Sequence, residues 1–473
     1  MTKRTAVVVG SGPNGLAAAI MLARAGLEVE VREAAPVPGG AARSGELTLP
    51  GFTHDLGSAV HPMGFSSPFF ATLPLEAYGL RWIFPPAALA HPFDDGTAVT
   101  LEREIGATAS QLGDDGPAYR KLFQPLVTNW PTLFREVFRP LRVPHHPLLL
   151  AQFGLRAGQP CTLLMRTLFR GSRARALVAG SAAHSSLKLE ALLSAAYGMM
   201  LGAAGHAVGW PLPQGGSQSI SNALAGFFRS LGGRILTDCR VNNLDELDLP
   251  DLTLCDVTPR QFLRLAAHRL RPSFQKLLKH YKYGPGVFKV DWALSQPIPW
   301  KAKECLRAAT VHLGGSLEEI GISERRAWEG KPPDKPFVLL VQPTLFDPSR
   351  APAGKHIAWA YCHVPNGWAG SALQQIENQI ERFAPGFRDC ILATSGFDPA
   401  AMQSWDENLV GGDVNGGAMG IDQFISRPTW RRYGTPLRGV YLCSSSTPPG
   451  GSVHGMCGYW AARRALGYLR KLH

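Results

Sequence analysis

Short apolar runs and turn residues alternate along the first forty positions in an order that predicts a strand, a helix and a second strand. Residues 6–9 are four consecutive apolar residues, which is typical of a buried strand. Residues 16–26 are rich in Ala and Leu and end on Gly26, a pattern that predicts a helix with a glycine terminator. Residues 27–33 alternate between apolar and polar side chains and predict the second strand.

The turn between the first strand and the helix has the spacing G-x-G-x-x-G. Gly10 allows a sharp turn, Gly12 removes the Cβ that would keep a pyrophosphate from the backbone, and Gly15 lets the helix pack on the sheet. The free N–H groups at the helix start favour a phosphate, and Glu33 is placed to accept hydrogen bonds from an adenosine ribose. Since a carboxylate would repel a 2′-phosphate, the turn predicts a dinucleotide of the NAD or FAD kind rather than NADP.

A similar strand, turn and helix occur near the carboxyl terminus. Residues 439–445 predict a strand, residues 447–452 a Pro- and Gly-rich turn, and residues from Val453 onward a helix. We interpret this as a second helix start directed at a ligand, with an ordinary terminal helix as the alternative. Two more glycine-rich loops, at residues 36–44 and 411–417, permit close approach of backbone to a ligand or to another backbone.

The remaining patterns predict a second domain. Residues 287–294, 337–342 and 356–363 predict strands, residues 377–383 a helix beside them, and residues 65–209, rich in Pro, Phe, Leu and Arg, a largely helical part. In between, residues 220–231 predict a helix, residues 234–237 and the surroundings of Val241 a strand pair, and residues 252–256 a buried strand. At 473 residues the chain is too long for one compact domain.

Composition excludes several classes of protein. No uninterrupted apolar run reaches 18 residues, so we expect no transmembrane helix, and the start leads directly into the first strand, so we expect a cytoplasmic protein without a secretory signal. The eight cysteines form no C-x-x-C, which argues against a disulfide framework, a zinc site and a redox dithiol. We expect no metal.

The net charge of +12 points to one region in particular. Residues 132–177 contain eight arginines and the single acid Glu136, interleaved with large apolar residues, and this mixture suits an anionic membrane surface better than a nucleic-acid groove. The alternative is a solvated helical face with arginine stems lying along the core. No nucleic-acid-binding motif accompanies the charge.

The order of these features resembles the phytoene desaturase-like branch of the FAD-dependent amine oxidase superfamily. The glycine turn, Glu33, the Gly39-Gly40 pair and residues 55–58 (Asp-Leu-Gly-Ser) carry the resemblance. It implies an α/β fold: a Rossmann-type FAD-binding domain assembled from residues 1–64, 210–280 and 405–473, and an α+β substrate domain with a mixed sheet and a helical part from residues 65–209 and 281–404.

The resemblance also implies a set of FAD contacts. They are Gly10, Gly12, Pro13, Asn14, Gly15, Glu33, Gly39, Gly40, Ala41, Arg43, Gly57, Ser58, Val241, Gly451, Ser452, Val453 and Met456. Two departures from the family pattern matter. Ala41 and Ala42 separate the glycine pair from Arg43, which either meets a phosphate or caps a surface turn, and Val453-His454 replaces an aliphatic-proline pair.

The implied chemistry is hydride transfer from a C–H bond of a small apolar substrate to flavin N5. Since no second fingerprint follows a strand, we expect oxygen, a quinone or another protein as electron acceptor rather than a docked nicotinamide. His61, His206 and His454 are the candidates to move a proton, with His61 and His454 preferred. Three functions stay open: a dehydrogenase or desaturase, a double-bond isomerase without net redox change, and a flavin-bound regulator.

Overall fold

The computed structural model describes residues 4–472 and contains two principal sheets. The first has five strands, paired in parallel throughout. In spatial order they are Val440–Leu442, Leu252–Cys255, Thr5–Val9, Glu28–Arg32 and Arg234–Leu236.

Helices cover both faces of this sheet because successive side chains of each strand point to opposite sides. Ala6 and Val8 pack with the helices Pro13–Arg24, Gln218–Ser230 and Met456–Leu469, whereas Val7 and Val9 pack with the helices Pro259–Ala266 and Pro272–Lys279. The continuous apolar run at residues 6–9 is therefore that of a strand buried on both faces. All five strands end toward one edge, where the loops that follow them meet.

The second sheet has seven strands and is mixed. In spatial order they are Ile391–Phe397, Gly286–Leu294, His356–Val364, Val338–Val341, Ala308–Leu313, Ala87–Pro92 and Ala98–Glu102. Only the contact of Ala308–Leu313 with Ala87–Pro92 is parallel. Two small antiparallel pairs complete the strands: Ser44–Glu46 with Thr53–Asp55, and Trp82–Ile83 with Leu212–Pro213.

A helical layer packs around a separate apolar core beside this second sheet. Its helices are Ile105–Ser110, Gly116–Thr128, Trp130–Val137, Pro147–Ala157, Cys161–Leu168, Ser172–Ala183 and Ser194–Ala207, together with Leu317–Trp328. The other helices are Pro62–Phe65, Leu373–Phe383, Pro399–Trp405 and Ile421–Ser426. Within residues 4–472, no helix has both the length and the apolar character that crossing a bilayer requires.

The predicted fold class, a Rossmann-type parallel sheet beside an α+β part with a mixed sheet, is confirmed. The exact domain boundaries stay a prediction. Two local predictions are wrong: no strand forms around Val241, and the last helix begins at Met456 rather than at Val453. The later start has a local cause, because Gly455 adopts φ +68° and the turn continues to that residue.

Candidate active site

One cavity of about 1010 Å³ connects the two sheets. At one end it is lined by the glycine turn at residues 10–14 and by Glu33. At the other end it is lined by one face of the seven-stranded sheet and by the helix Ser194–Ala207. The dinucleotide turn and the interior of the mixed-sheet part therefore open into the same space.

The glycine turn has the geometry that a pyrophosphate requires. Gly10 has φ +96°, and a Cβ on Gly15 would collide with the carbonyl oxygen of Gly10. A Cβ on Gly12 would lie 2.7 Å from Oδ2 of Asp256. The helix Pro13–Arg24 begins at this turn with Gly12, Pro13 and Asn14 on the cavity lining, so the positive end of its dipole lies beside the cavity. One of its first N–H groups, that of Gly15, already donates to Asp256 Oδ2.

Glu33 is fixed at the end of the second strand by three hydrogen bonds. Its Oε2 accepts from Ser11 N (2.8 Å) and from Ser11 Oγ (2.6 Å), and its Oε1 accepts from Ala35 N (2.8 Å). The carboxylate lines the cavity beside the turn. This arrangement fits the ribose of a dinucleotide, because ribose hydroxyls can donate to the remaining lone pairs of the carboxylate.

Arg43 fastens two loops at the same end of the cavity. Its Nε donates to Gly40 O (2.8 Å), one terminal nitrogen donates to Trp405 O (3.0 Å), and the guanidinium lies 4.9 Å from the centroid of the Trp405 ring. Through its bond to Gly40 O, three residues earlier, Arg43 does cap a turn, although the residue is buried rather than at the surface. Its contact with a phosphate stays a prediction.

The two helix starts meet through their backbones. Gly458, in the first turn of Met456–Leu469, lies so close to Asn14 that a Cβ there would collide with the Asn14 carbonyl. Gly451, Ser452 and Val453 line the cavity, and Ser452 adopts φ +94°. The convergence of the two chain ends, inferred from the glycine patterns, is thus present in the fold.

Most of the proposed FAD contacts line this cavity, and three do not. Gly10, Gly12, Pro13, Asn14, Glu33, Gly40, Ala41, Arg43, Gly57, Ser58, Val241, Gly451, Ser452 and Val453 do so. Gly15 instead packs against Gly10, and Gly39 packs against Arg43 and Ser221. Met456 is buried and lies outside the cavity, because the helix begins later than predicted.

The three candidate histidines lie in different surroundings. His61 lines the cavity with Nε2 2.7 Å from Ser217 Oγ, and burial lowers its pKa to about 4. His454 does not line the cavity: its Nδ1 accepts from Met456 N (3.0 Å) at the start of the last helix, and burial lowers its pKa to about 4. His206 lies in the helical layer, between Tyr119 Oη (2.8 Å) and Glu102 O (2.8 Å). Of the three, only His61 lies where a substrate or cofactor could contact it.

Two carboxyl groups at the dinucleotide end, the buried Asp256 and the half-buried Asp406, were not predicted from the sequence. Asp256 follows the strand Leu252–Cys255, and its Oδ2 accepts from Gly15 N (2.8 Å). Burial raises the pKa of Asp256 to about 8 and raises the pKa of Asp406, which also lines the cavity. A side chain directly after a parallel strand belongs to the edge where the ligand lies, and this signal could have identified Asp256.

The end of the cavity at the seven-stranded sheet, which we call the substrate end, has apolar walls with few polar groups. Its apolar lining includes Ala196, Met200, Leu201, Trp210, Leu339 and Val341. Among its polar groups, Lys289 forms a buried ion pair with Asp291, and its Nζ lies 5.3 Å from the centroid of the Trp359 ring. Burial lowers the pKa of Lys289. Two charged residues at alternate positions of an otherwise apolar strand are a signal that the sequence reading missed.

Two sets of hydrogen-bonded side chains extend from the lining of the substrate end into the surrounding protein. His184 lines the cavity with its Nε2 3.0 Å from His312 Nε2, and burial lowers the pKa of His184 to about 3. Asn415, also on the lining, donates through Nδ2 to Ser186 Oγ (2.9 Å). Ser186 Oγ lies 3.1 Å from His363 Nε2, and His363 Nδ1 lies 2.8 Å from Glu324.

Comparison with known proteins agrees with this geometry. The family model for an NAD(P)-binding Rossmann-like domain matches residues 8–73. Pyridine nucleotide-disulfide oxidoreductase domain-containing protein 2 of Mus musculus is 25% identical over 99% of this chain and 94% of its own length. Phytoene dehydrogenase of Streptomyces griseus is 26% identical over 82% of this chain and 77% of its own length.

Solved structures share the fold. An oxidoreductase from Methanosarcina mazei superimposes with a TM-score of 0.64 at 17% identity, covering 98% of this chain and all of its own. Cyclohexylamine oxidase from Brevibacterium oxydans superimposes with a TM-score of 0.62 at 14% identity over the whole of both chains. The sequence likenesses confirm the resemblance to the phytoene desaturase-like branch of the FAD-dependent amine oxidase superfamily, and the relatives named here are oxidoreductases.

Proposed function

We propose that this protein is an FAD-dependent dehydrogenase or desaturase that removes hydride from an apolar, lipid-like or carotenoid-like substrate. The observation that supports the proposal best is the single cavity, in which a dinucleotide turn and a largely apolar chamber are continuous. A polar or charged substrate would leave its hydrogen-bonding groups without partners against Met200, Leu339 and Val341.

The residues at the dinucleotide end suit FAD in three places. The start of the helix Pro13–Arg24 would hold the pyrophosphate, Glu33 the ribose, and the turn at residues 451–453 the flavin ring. When bound, FAD would supply an acceptor for the hydride, which carries both electrons of the oxidation. The dipole of the last helix, directed from its start at Met456, favours negative charge near that turn.

The chain itself contributes position and a dry environment. The apolar walls fix an extended substrate by shape and exclude water from the reacting C–H bond. His61, held by Ser217 and neutral at physiological pH, can accept a proton at one imidazole nitrogen. Lys289, paired with Asp291, places a buried positive charge at the substrate end without exposing it to solvent.

The test is anaerobic reduction of the flavin by a candidate substrate. Phytoene, which the names of several relatives give as their substrate, is mixed in detergent with the purified flavoprotein. We expect bleaching of the flavin absorbance and a product that lacks two hydrogens. Putrescine serves as a polar comparison, because a structural neighbour is putrescine oxidase. Bleaching by putrescine and by no apolar compound would contradict an apolar substrate.

An isomerase is the second candidate, because prolycopene isomerase 2 of an Oncidium hybrid is 24% identical over 82% of this chain. Isomerisation would leave the product mass unchanged and would need no electron acceptor. For a dehydrogenase, adding oxygen, a soluble quinone or an acceptor protein to the reduced flavin in turn would identify the acceptor by the rate of reoxidation.

A further inference from the structure

An apolar helix lies on the surface beside the cavity. In Pro147–Ala157, Phe153 and Ala157 are buried, yet Leu148 and Leu155 on the outward side are 79% and 76% exposed. These two leucines are seven positions apart, so they lie on one face of the helix. Val143, in the loop before it, is 87% exposed. Gln152, which is exposed on the same side between the two leucines, is the polar residue of an otherwise apolar outward face, and exposed apolar side chains grouped in this way mark an interaction surface.

A second segment with the same character lines the same cavity. Phe424 and Ile425, on the helix Ile421–Ser426, are exposed and belong to the cavity lining, as do Leu141 and Arg142 from the first segment. Trp430, a few residues farther on, is 77% exposed. We call the exposed side chains of residues 141–155 and 421–430 the mouth surface, because side chains from both segments are at once exposed and part of the cavity wall.

The charges around the mouth surface are mostly positive, and its exposed acid, Asp422, forms an ion pair with Lys282. Arg135, Arg142 and Arg431 are exposed, and no carboxylate within residues 4–472 forms an ion pair with them. Glu136, the only acid of the arginine-rich region, is buried and pairs with Arg139. At the other end of that region, Arg166 and Arg173 pair with Glu318 and Asp95. Beside the mouth, positive charge without a carboxylate partner therefore accompanies the exposed apolar side chains, although Arg170 and Arg175, farther along the chain, also lack such a partner among the described residues.

We propose that the mouth surface docks on a lipid bilayer that contains anionic lipids. Leucine, valine and tryptophan side chains would enter the interface while the arginines contact phosphate headgroups, the combination that holds interfacial amphipathic segments. Docking in this orientation opens the cavity toward the apolar phase. A nucleic acid would not suit the mouth surface, because phosphates make no favourable contact with exposed leucine side chains.

The experiment is cosedimentation of the flavin-loaded protein with vesicles, without any substrate. Vesicles of phosphatidylcholine are compared with vesicles that also contain phosphatidylglycerol. We expect binding to the anionic vesicles that weakens as salt is raised. The double variant Leu148→Asp/Leu155→Asp should lower the bound-to-free ratio roughly tenfold on both kinds of vesicle. Arg135→Gln/Arg142→Gln should remove the preference for anionic lipid and leave the remaining binding insensitive to salt.

The matched control is Ile322→Asp, which places the same charge at an exposed aliphatic position of the helix Leu317–Trp328, outside the cavity lining. It should bind vesicles like the unaltered protein, and the flavin absorbance of every variant reports that it is folded. Protein that stays in the supernatant with anionic vesicles, or equal losses for Ile322→Asp and Leu148→Asp/Leu155→Asp, would overturn the proposal. So would a dimer, seen by light scattering without lipid, that Leu148→Asp dissociates. Because no substrate is used, these outcomes are independent of the proposed reaction.

Discussion

The two ends of the cavity are built by different means. At the dinucleotide end, the ligand-facing groups are largely backbone atoms of neighbouring residues, as in the turn at residues 10–15. At the substrate end, they are side chains from distant parts of the chain, such as His184, Met200 and Lys289. The dinucleotide end therefore depends on local backbone geometry, whereas the substrate end depends on how whole helices and strands pack.

A disturbance at each end should therefore have a different consequence. Changes in the turn should lower the retention of FAD and leave most of the fold in place. Changes among the buried polar groups of the chamber should lower the stability of the fold. Substitutions at Lys289, Gly15, Glu33 and Asp256 test this division.

Lys289→Met should lower the apparent free energy of unfolding by about 3–5 kcal/mol, because it removes the lysine that pairs with the buried Asp291 and leaves His54 Nδ1, 3.4 Å away, as the remaining ion-pair partner among the described residues. Denaturant unfolding at pH 7 measures the effect. The double variant Lys289→Met/Asp291→Asn removes both charges and should recover most of the loss. An equally unstable double variant would show that packing of the lysine stem, rather than the charge pair, matters at this position.

Gly15→Ala should lower the ratio of bound FAD to protein at least about tenfold, because the new methyl group collides with the carbonyl of Gly10 and displaces the phosphate-binding turn. Absorbance of the purified protein measures the ratio. Gly467→Ala, near the end of the last helix with open space around its Cβ position, is the control and should retain FAD fully. If both variants retain FAD equally, the turn does not hold the pyrophosphate.

Glu33→Ala should weaken FAD binding about tenfold, since hydrogen bonds to a charged acceptor are lost from the ribose and from Ser11. Fluorescence titration of the apoprotein with FAD gives the dissociation constant. Glu28→Ala changes an exposed acid of the same strand and should leave the constant unaltered. Unchanged affinity in Glu33→Ala would mean that the carboxylate only orders the backbone at Ser11 and Ala35.

The sequence was sufficient where function depends on consecutive residues. The turn at residues 10–15, Glu33 and the turn at residues 451–453 could be predicted because glycines and a strand end define each of them locally. Met456 was predicted to contact FAD but does not line the cavity, and nothing in the pattern distinguishes a helix that begins at Val453 from one that begins after Gly455.

The sequence was insufficient where a residue acquires its role from a distant partner. The position of His454 beside the second glycine-rich turn suggests a catalytic role. Its Nδ1 instead accepts from Met456 N, and the residue lies outside the cavity. His184 drew no attention, yet it lines the chamber beside His312, which is 128 positions away. Such contacts follow from the packing of a helix on a sheet, and no local spacing encodes them.

Asp256→Asn should have almost no effect near pH 4 and an effect on stability that grows as the pH rises. Burial raises the pKa of Asp256 from its ordinary value of 3.8 to about 8 in the folded protein. Between those two values the unfolded chain has released a proton that the folded chain keeps, so this group lowers the stability of the apoprotein as the pH rises through that window. Asparagine can still accept from Gly15 N and cannot ionise.

The variant apoprotein should therefore melt at nearly the same temperature as the unaltered apoprotein near pH 4 and roughly 2–4 °C higher at pH 8. Scanning fluorimetry across this range measures the difference, with Asp248→Asn at an exposed position of the same sheet region as the control. A melting difference that stays constant from pH 4 to pH 8 would mean that Asp256 is ionised in the fold. A fixed negative charge would then lie beside the phosphate-binding turn. Backbone geometry alone would not account for binding at the dinucleotide end.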